Sequence, residues 1–482
     1  MVLSPKSKIQ SRKFPKSCNL IIIPMQKNKS LMLFLGVLLL IFSFSWTKHI
    51  VFTDEIIYEE FSYQMFTTGD YLAPNQEGAV WLIRPPLYFW ITALAYRVFP
   101  PTPFARRLVT LIAAAATVAL TYKLATRFFS IKAARWSMIL LATTPLFLFF
   151  TKAANLDIPL AFFILGTILA YEKAKTQPRW LWVAGITFGL GILTRSFLAL
   201  TPVPVILLDQ MLFEKRKIST LHIAIALALS LSIALPWHVA VWQKHPQAFV
   251  QDYLRFNVQD HLFSQTPGHE PLSMIRFLAN VLVIYNPLAV LTLGNLLPQR
   301  SRTRKNLQLL LIWIASSLVP LSLAVTRHEW YAIQALPPIA ILGGSGLVRI
   351  EEAVHRRLND QRFMLLKIFC LAILCALPTT VFLNLFKETK SVATLNQFLK
   401  HSPAGTPLYN LENRYTPQST LYNPRETPVI DPEELENVKA PLYVYADDNR
   451  QYDLIREKTQ SCCEREIIAR DRDAKVVRIN PR

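Results

Sequence analysis

Acidic and basic side chains stand at the ends of several long apolar stretches of this sequence, where charged groups are costly. An acidic pair, Asp54-Glu55, follows the first apolar stretch, and Asp157 precedes a later one. Arg84 and Arg195 stand at comparable boundaries. If these groups meet at one membrane face, a carboxylate can orient or deprotonate an acceptor or hold a metal ion, while guanidinium groups neutralise a phosphate. This combination is typical of group transfer from a lipid-anchored donor.

Later loops add polar residues to the same predicted face. They are Arg327, Tyr331, His261, His269 and Glu270. The two histidines are eight residues apart, so they do not share one helical face, and this spacing disfavours a metal site between them. A divalent cation stays open as a cofactor, because carboxylates and histidines near one face can bind one or act without it.

The acidic and basic residues at the ends of the apolar stretches also have a purely structural interpretation. Asp54 and Glu55 can begin a solvated helix, and Asp157 can serve as the N-cap of the helix that follows it. Arg84 and Arg195 can be interface anchors whose long side chains reach the headgroup region.

Composition defines the setting of these residues. The chain has 482 residues, of which 52% are apolar and only 17% charged, and its mean hydropathy is +0.28. Soluble domains carry about 25% charged residues, so a single soluble globule is excluded and the apolar stretches indicate many membrane spans. The net charge of +20 lies in the membrane part, because the tail from Lys387 has equal numbers of acidic and basic residues. It fits loops at an anionic cytoplasmic leaflet, and no nucleic acid is expected as a partner.

The distribution of basic residues predicts the orientation. The first 30 residues contain lysines and arginines but no acidic residue, which places this segment in the cytoplasm by the positive-inside rule. The acid-rich stretch 48–77 belongs to an outer loop, 48–104, and each later basic cluster separates two apolar stretches on the inner side. The predicted spans are roughly 31–45, 106–122, 136–151, 157–171, 180–195, 197–212, 219–241, 273–297, 307–326, 330–348 and 363–386. Their odd number delivers the tail to the outer side.

One apolar stretch, 86–99, does not fit this alternation. As a helix it is about 21 Å long, less than the roughly 30 Å of a hydrocarbon core. We expect an interfacial or re-entrant helix on the outer side, with Tyr88, Phe89, Trp90 and Tyr96 in the headgroup region. The alternative is a short tilted span, which would reverse the side of every later basic cluster.

The tail has a different character from the rest of the chain. Strand patterns occur at Pro441–Tyr445, Glu466–Ala469 and Ala474–Ile479, alternating with charged, helix-compatible stretches. The predicted domains are a basic segment, 1–30, a transmembrane domain, 31–386, and an outer domain, 387–482. The fold class is thus an all-α polytopic membrane domain of about 11–13 transmembrane helices followed by a small α/β soluble domain. The five cysteines have no metal-ligand spacing.

The first outer loop carries a distinctive series of residues. It runs from Thr53-Asp54-Glu55 through Gly69-Asp70-Tyr71 to Arg84-Pro85-Pro86-Leu87-Tyr88-Phe89-Trp90. Further steps follow at Asn155–Leu160, at Gly191–Arg195, at Phe256–His261 with His269–Pro271, and at Tyr331 with Pro337. Over roughly residues 50–345 this series resembles the protein-O-mannosyltransferase-like glycosyltransferases, in particular the bacterial branch with the aminoarabinose transferases that act on lipid A.

This resemblance implies an integral inner-membrane glycosyltransferase of the GT-C architecture. Such an enzyme takes a sugar from polyprenyl phosphate at the periplasmic face and transfers it to a lipid, glycan or protein acceptor. By position, Asp54 and Asp157 are similar to the acidic residues of the family's first and second outer loops, with Glu55 beside the former. The family's contacts to the donor phosphate fall at Arg84, Arg195 and Tyr331. The implied localisation is the bacterial inner membrane, with the N-terminus in the cytoplasm and the tail in the periplasm.

Four positions depart from the family pattern. Arg84 and Arg195 stand where lysine is frequent, and a guanidinium is a planar fork where an ammonium is a point charge. Ser196 replaces a glycine, and Asp260 precedes His261 where the family has glutamate. The sugar and the acceptor are therefore not assigned.

Two other function classes suit many spans with polar outer loops. A transporter or lipid flippase would hold ionisable groups near the bilayer midplane and would often show inverted repeats, whereas these spans are nearly free of charge and no repeat is visible. A scaffold that acts through its tail would not need the outer acids. The favoured hypothesis is an enzyme in which Asp54 activates the acceptor and Arg84 and Arg195 stabilise the departing polyprenyl phosphate, with inversion at the anomeric carbon.

Overall fold

The structure is a computed structural model, and it describes most of the membrane part and much of the tail. The described residues are 19–46, 54–76, 79–213, 218–260, 273–284, 286–296, 301–325, 327–355, 376, 408–411, 429–446, 449–471 and 474–482. Within them the predicted all-α membrane domain followed by a small α/β domain is confirmed.

Most helices of the membrane part overlap the predicted apolar stretches, but the first begins within the predicted basic segment and the second lies in the predicted outer loop. They are α1 (Asn19–Phe42), α2 (Asp54–Thr68), α3 (Leu87–Val98), α4 (Pro103–Phe128), α5 (Ile131–Thr143), α6 (Pro145–Thr151), α7 (Asp157–Ala174), α8 (Trp180–Arg195), α9 (Pro202–Leu212), α10 (Thr220–Lys244), α11 (Pro246–Ala248), α12 (Met274–Ala279), α13 (Ser301–Leu323) and α14 (Leu336–His355). Short 3₁₀ segments are Ser196–Leu200, Pro287–Leu296 and Glu329–Ala335, and π-helical segments are Phe249–Asp260 and Asn280–Ile284. Side chains cap α4 and α5, where Thr102 and Ser130 each accept a hydrogen bond from a backbone N–H three residues on.

Several of these elements are long and apolar enough to cross a membrane. Five qualify in the described part of the chain: Pro103–Phe128, Trp180–Leu200, Thr220–Lys244, Thr303–Leu323 and Glu329–His355. The number rises to seven if two bent pairs each count as one span, Ile131–Thr143 with Pro145–Thr151 at 63° and Met274–Val283 with Pro287–Leu296 at 84°. The predicted span 363–386 falls, except for residue 376, outside the described residues. The total of eleven spans therefore stays a prediction.

Helix α14 lies in the interior of the bundle. Residues 336–346 are all buried, and the helix packs against α5. A Cβ atom on Gly344 would lie 2.5 Å from the carbonyl oxygen of Ala133, closer than real Cβ atoms come to any neighbour. Glycine is therefore the residue that permits this distance between the two helices.

Helix α3 occupies the stretch predicted to be interfacial, but the expected placement is wrong for three of its four aromatic rings, whereas Trp90 is half-buried. Tyr88, Phe89 and Tyr96 are buried against α2 and α4, and the Tyr88 hydroxyl donates to the carbonyl oxygen of Arg106 at 3.1 Å. The side of α3 that faces outward carries aliphatic residues such as Leu94. These three rings turn inward because burying their large apolar area against α2 and α4 is favourable.

A small hairpin and a five-stranded sheet complete the described structure. Strands β1 (Asn75–Gln76) and β2 (Ala79–Val80) pair antiparallel between α2 and α3. In the tail, β3 (Leu408–Leu411), β4 (Val429–Ile430), β5 (Leu442–Ala446), β6 (Cys463–Asp471) and β7 (Ala474–Pro481) form one sheet in the order β4-β3-β5-β7-β6, with α15 (Asn449–Lys458) after β5. The parallel pairs are β3 with β4 and β3 with β5, whereas β7 pairs antiparallel with both β5 and β6. The three predicted strands are confirmed as β5, β6 and β7.

Candidate functional site

Helix α2 begins with the acidic pair, and its first carboxylate remains reachable. Asp54 is half-buried, and the hydroxyl of Tyr58, one turn later, donates to its Oδ2 atom at 3.1 Å. Burial, followed by the charge of Asp54, raises the pKa of Tyr58 well above its ordinary value, while the charges of Arg84 and Arg195 act in the opposite direction. The phenol thus stays protonated and holds the Asp54 carboxylate in one orientation.

Glu55 points elsewhere, although it is the next residue in the sequence. Successive helical residues are about 100° apart around the axis, and the Glu55 side chain is fully buried against α4. Its Oε1 atom accepts from Nε of Arg106 at 3.1 Å and from Nε of Arg107 at 2.6 Å. Arg106 also donates to Glu59 at 2.5 Å. Glu55 is therefore committed to a buried ionic cluster of two acids and two arginines.

The second acidic residue, Asp157, forms an ion pair with Arg195. Asp157 lies in the first turn of α7, Arg195 is the last residue of α8, and both side chains are buried. The N-cap interpretation of Asp157 does not describe its side chain, because the Oδ1 atom of Asn155 accepts from the backbone N–H groups of Asp157 and Ile158 at 3.1 and 3.0 Å. The carboxylate is thereby left for Arg195, and its Oδ1 atom has no hydrogen-bond partner among the described residues.

Tyr331 completes this pair from the 3₁₀ segment before α14. The guanidinium carbon of Arg195 lies 4.4 Å from the centre of the Tyr331 ring, a cation–π contact that also restricts the plane of the guanidinium. Arg327, four residues earlier, donates its Nε to the carbonyl oxygen of Ser322 at 2.9 Å.

Arg84 approaches from the loop between β2 and α3. It is largely buried, and its Nη1 atom donates to Oδ1 of Asn257 at 3.3 Å. The Asn257 amide in turn donates to the carbonyl oxygens of Ile83 and Tyr253, at 2.9 and 2.8 Å. Asn257 was not among the predicted site residues, although it lies in the Phe256–His261 step of the family resemblance.

The ionic groups of both predicted acidic loops converge on Tyr58. Asp54, Arg84, Arg195 and Asp157 are all close enough to act electrostatically on its phenol. The sequence contained a hint of this role, since Tyr58 follows the acidic pair by one helical turn. The predicted residues His261, His269 and Glu270 lie outside the described residues. Within the described ranges, no group of three acidic, histidine or cysteine side chains could hold a metal ion.

An apolar cavity of about 190 Å³ adjoins this polar centre. It is lined by side chains of α3, α4 and α7, among them Ile91, Ile112, Phe162 and Pro159, and by Thr194 of α8. Thr194 directly precedes Arg195, and Pro159 follows Asp157 by two residues.

Comparison with known proteins gives the class of protein to which this chain is similar. Residues 83–242 match the family model of dolichyl-phosphate-mannose-protein mannosyltransferase, a range that includes Arg84, Asp157 and Arg195. The predicted resemblance to protein-O-mannosyltransferase-like membrane glycosyltransferases is thereby confirmed.

Particular relatives are bacterial transferases. An undecaprenyl phosphate-alpha-4-amino-4-deoxy-L-arabinose arabinosyl transferase of Pseudomonas savastanoi pv. phaseolicola is 27% identical over 313 residues, which are 61% of this chain and 56% of the relative. A second transferase of this description, from Pseudomonas fluorescens, is 27% identical over 359 residues, 71% of this chain and 64% of the relative. The chain thus spans little more than half the length of the first of these curated relatives.

Solved structures share the fold over nearly the whole chain. ArnT from Cupriavidus metallidurans bound to undecaprenyl phosphate gives a TM-score of 0.68 at 17% identity and covers 96% of this chain and 98% of ArnT. The apo oligosaccharyltransferase of Archaeoglobus fulgidus gives 0.54 at 13% identity, with 92% and 70% covered. The chain therefore has the GT-C fold and is a multi-pass membrane protein.

Proposed function

We propose that this protein is an inner-membrane glycosyltransferase that moves a sugar from a polyprenyl-phosphate donor to a lipid, glycan or protein acceptor. The observation that carries this proposal is the convergence of Asp54, Arg84, Asp157 and Arg195 around Tyr58, beside an apolar cavity that can take a lipid chain. The carboxylates and guanidinium groups come from distant parts of the chain, and such a set suits a phosphate leaving group and a nucleophile in need of a base.

In the proposed reaction, the acceptor hydroxyl oxygen attacks the anomeric carbon while the bond from that carbon to the phosphate oxygen breaks. Asp54 takes the acceptor proton, and the polyprenyl phosphate leaves with the electron pair of the broken bond. Arg84 and Arg195 stabilise the developing phosphate charge, since preorganised cations in a water-poor site act strongly on charge that forms in the transition state. Attack opposite the leaving group inverts the anomeric centre.

The two acids of the site have different parts in this proposal. Asp54 is half-buried and accepts one hydrogen bond from Tyr58, so it can meet an acceptor. Asp157 balances the buried charge of Arg195 and aims its guanidinium. Glu55 keeps α2 attached to α4 through Arg106 and Arg107, which positions Asp54 indirectly.

The experiment uses the purified full chain in lipid nanodiscs with a radiolabelled undecaprenyl-phosphate sugar, an envelope lipid extract as acceptor, and parallel samples with and without a chelator. Aminoarabinose is the first sugar to test, because it occurs in the names of the relatives. We expect label transfer by the wild type and a loss of about 100-fold or more in the Asp54→Asn variant, the range of general-base catalysis. Asp70→Asn is the matched control, since Asp70 lies exposed in the turn after α2. Equal transfer by wild type and Asp54→Asn would remove this carboxylate from the reaction.

The proposed sidedness has its own test. The site faces the periplasm, the N-terminus lies in the cytoplasm, and the tail domain 387–482 is periplasmic. Single cysteines introduced at exposed positions such as Asp70 and Arg179 should differ in labelling by a membrane-impermeant maleimide, with only the former reactive from outside. Labelling of both from the same side would contradict this orientation.

A further inference from the structure

The two arginines of the site lie where regular secondary structure is absent or ends. Arg84 lies in the irregular loop before α3, and Arg195 is the last residue of α8. Ser196, which follows it, has φ = 46° and ψ = −124°, a region that L-residues other than glycine rarely adopt. Something outside these segments must therefore hold them.

The π-helical segment Phe249–Asp260 contacts both sides. Towards Arg84 it presents Asn257, whose Oδ1 accepts from the guanidinium and whose amide donates to the carbonyl oxygen of Ile83. The Asn257 amide is thus hydrogen-bonded both to the side chain of Arg84 and to the backbone of the preceding residue. The Asn257 amide makes a third hydrogen bond, to the carbonyl oxygen of Tyr253 at 2.8 Å. This bond joins the two residues, which lie about one helical turn apart.

Towards Arg195 the segment presents the hydroxyl of Tyr253. Ser196 donates to it at 2.7 Å, and Nε2 of His238 lies 2.7 Å from it on the other side. The opposite ring atom of His238, Nδ1, lies 2.7 Å from the carbonyl oxygen of Ala234, which can only accept. In the neutral ring Nδ1 is therefore the donor and Nε2 the acceptor, so Tyr253 donates to His238 and accepts from Ser196.

The protonation state of Tyr253 agrees with this order. Burial raises its pKa to about 12, so the phenol keeps the proton that it donates to His238. The single ordered chain Ser196–Tyr253–His238 uses every hydroxyl hydrogen once. It stabilises the strained backbone at Ser196, because the hydrogen bond to Tyr253 keeps this buried hydroxyl paired.

We infer that Tyr253 and Asn257 are positioning residues that fix Arg84 and Arg195 relative to each other and thereby set the affinity for the donor phosphate. The inference rests on the proposed function and deepens it. Two guanidinium groups can share one phosphate only when their spacing matches the tetrahedral oxygens. One short helical unit contacts the Arg84 guanidinium through Asn257 and the hydroxyl of Ser196, the residue after Arg195, through Tyr253, so it couples the positions of the two arginines. In this inference the segment acts on phosphate binding indirectly, through the positions of Arg84 and Arg195.

The test measures binding of undecaprenyl phosphate, without a sugar, to the full chain in nanodiscs, together with steady-state transfer. We expect Tyr253→Phe and Asn257→Ala each to weaken binding about five- to tenfold, the effect of one hydrogen bond to a charged or strained partner. The donor kcat/KM should fall by the same factor while the KM for the acceptor stays unchanged. Tyr96→Phe is the control for a buried tyrosine, since the Tyr96 hydroxyl has no hydrogen-bond partner among the described residues, and Gln251→Ala is the control for an exposed position of the segment.

A double-mutant cycle separates positioning from general damage. If Asn257 acts through Arg84, then Asn257→Ala should have no further effect on binding in an Arg84→Ala background. If Tyr253→Phe fails to fold, Ser196→Ala removes the same hydrogen bond from the other partner and should weaken binding equally. Unchanged affinity in both Tyr253→Phe and Asn257→Ala, or full additivity with Arg84→Ala, would overturn the inference. A wild-type chain that binds no undecaprenyl phosphate would instead remove the proposed function.

Discussion

The buried ionic cluster between α2 and α4 predicts that two neighbouring acids differ completely in what they do. Glu55→Gln removes one of two negative charges that face Arg106 and Arg107, all of them with side chains at most 1% exposed. The cluster would pass from neutral to a net charge of +1 in a place that water does not reach. Removal of one partner from a buried ion pair costs about 3–5 kcal/mol. We therefore expect a large fall in the apparent Tm of Glu55→Gln.

Asp54, the residue before Glu55, is expected to respond to substitution in the opposite way. Asp54→Asn keeps the shape of the side chain at a half-buried position, so its stability should change by less than about 0.5 kcal/mol, as at ordinary surface sites. Its transfer activity should nevertheless be lost. Stability and activity are thus expected to separate between two adjacent positions of one helix.

The assay is thermal unfolding of the purified variants in one detergent, followed by intrinsic tryptophan fluorescence at a fixed heating rate, because unfolding of membrane proteins is commonly irreversible. Glu60→Gln is the matched control, since Glu60 lies on the same helix and is only half-buried. The reasoning would be refuted if Glu55→Gln kept the wild-type Tm and lost transfer, because Glu55 would then be a reacting group.

Three further predictions concern the neighbouring elements. Arg195→Lys keeps the charge but loses the planar fork and its stacking on an aromatic ring, so transfer should fall at least about tenfold at unchanged Tm; wild-type rates would contradict this. Ser196→Gly should be more stable than Ser196→Ala by about 1–2 kcal/mol in chemical unfolding, because the positive φ favours glycine; the reverse order would contradict the strain. Gly344→Ala should lower the Tm, since its Cβ would meet the backbone of Ala133, whereas Gly36→Ala, with open space around it, should not, and equal Tm values for the two would argue against the close helix contact.

The sequence predicted much of the fold because apolar length and loop charge are strong local signals. Every predicted span that falls in the described ranges contains a helix, and strands β5, β6 and β7 follow from alternating patterns. Strands β3 and β4 were not predicted. They are four and two residues long, too short for periodicity to be visible, and they are defined by a parallel ladder with partners far along the chain.

The sequence indicates which residues belong to the candidate site more readily than it indicates what each of them does. Asp54, Arg84, Asp157 and Arg195 are all close enough to act electrostatically on Tyr58, but a sequence cannot tell which way a side chain turns from its helix. That direction separates Glu55 from Asp54, because one residue rotates a helix by about 100°. Residues such as Asn257 escape prediction because their importance lies in a contact across 173 positions of the chain.

The interior position of α14 has a consequence for the order in which the chain can mature. This helix is made after nearly all the other described helices, yet its residues 336–346 are buried among them. The earlier helices are therefore synthesised before α14. Until α14 is present, the surface of α5 that contacts Gly344 lacks this partner. We therefore expect the bundle to complete its packing only after α14 has been inserted.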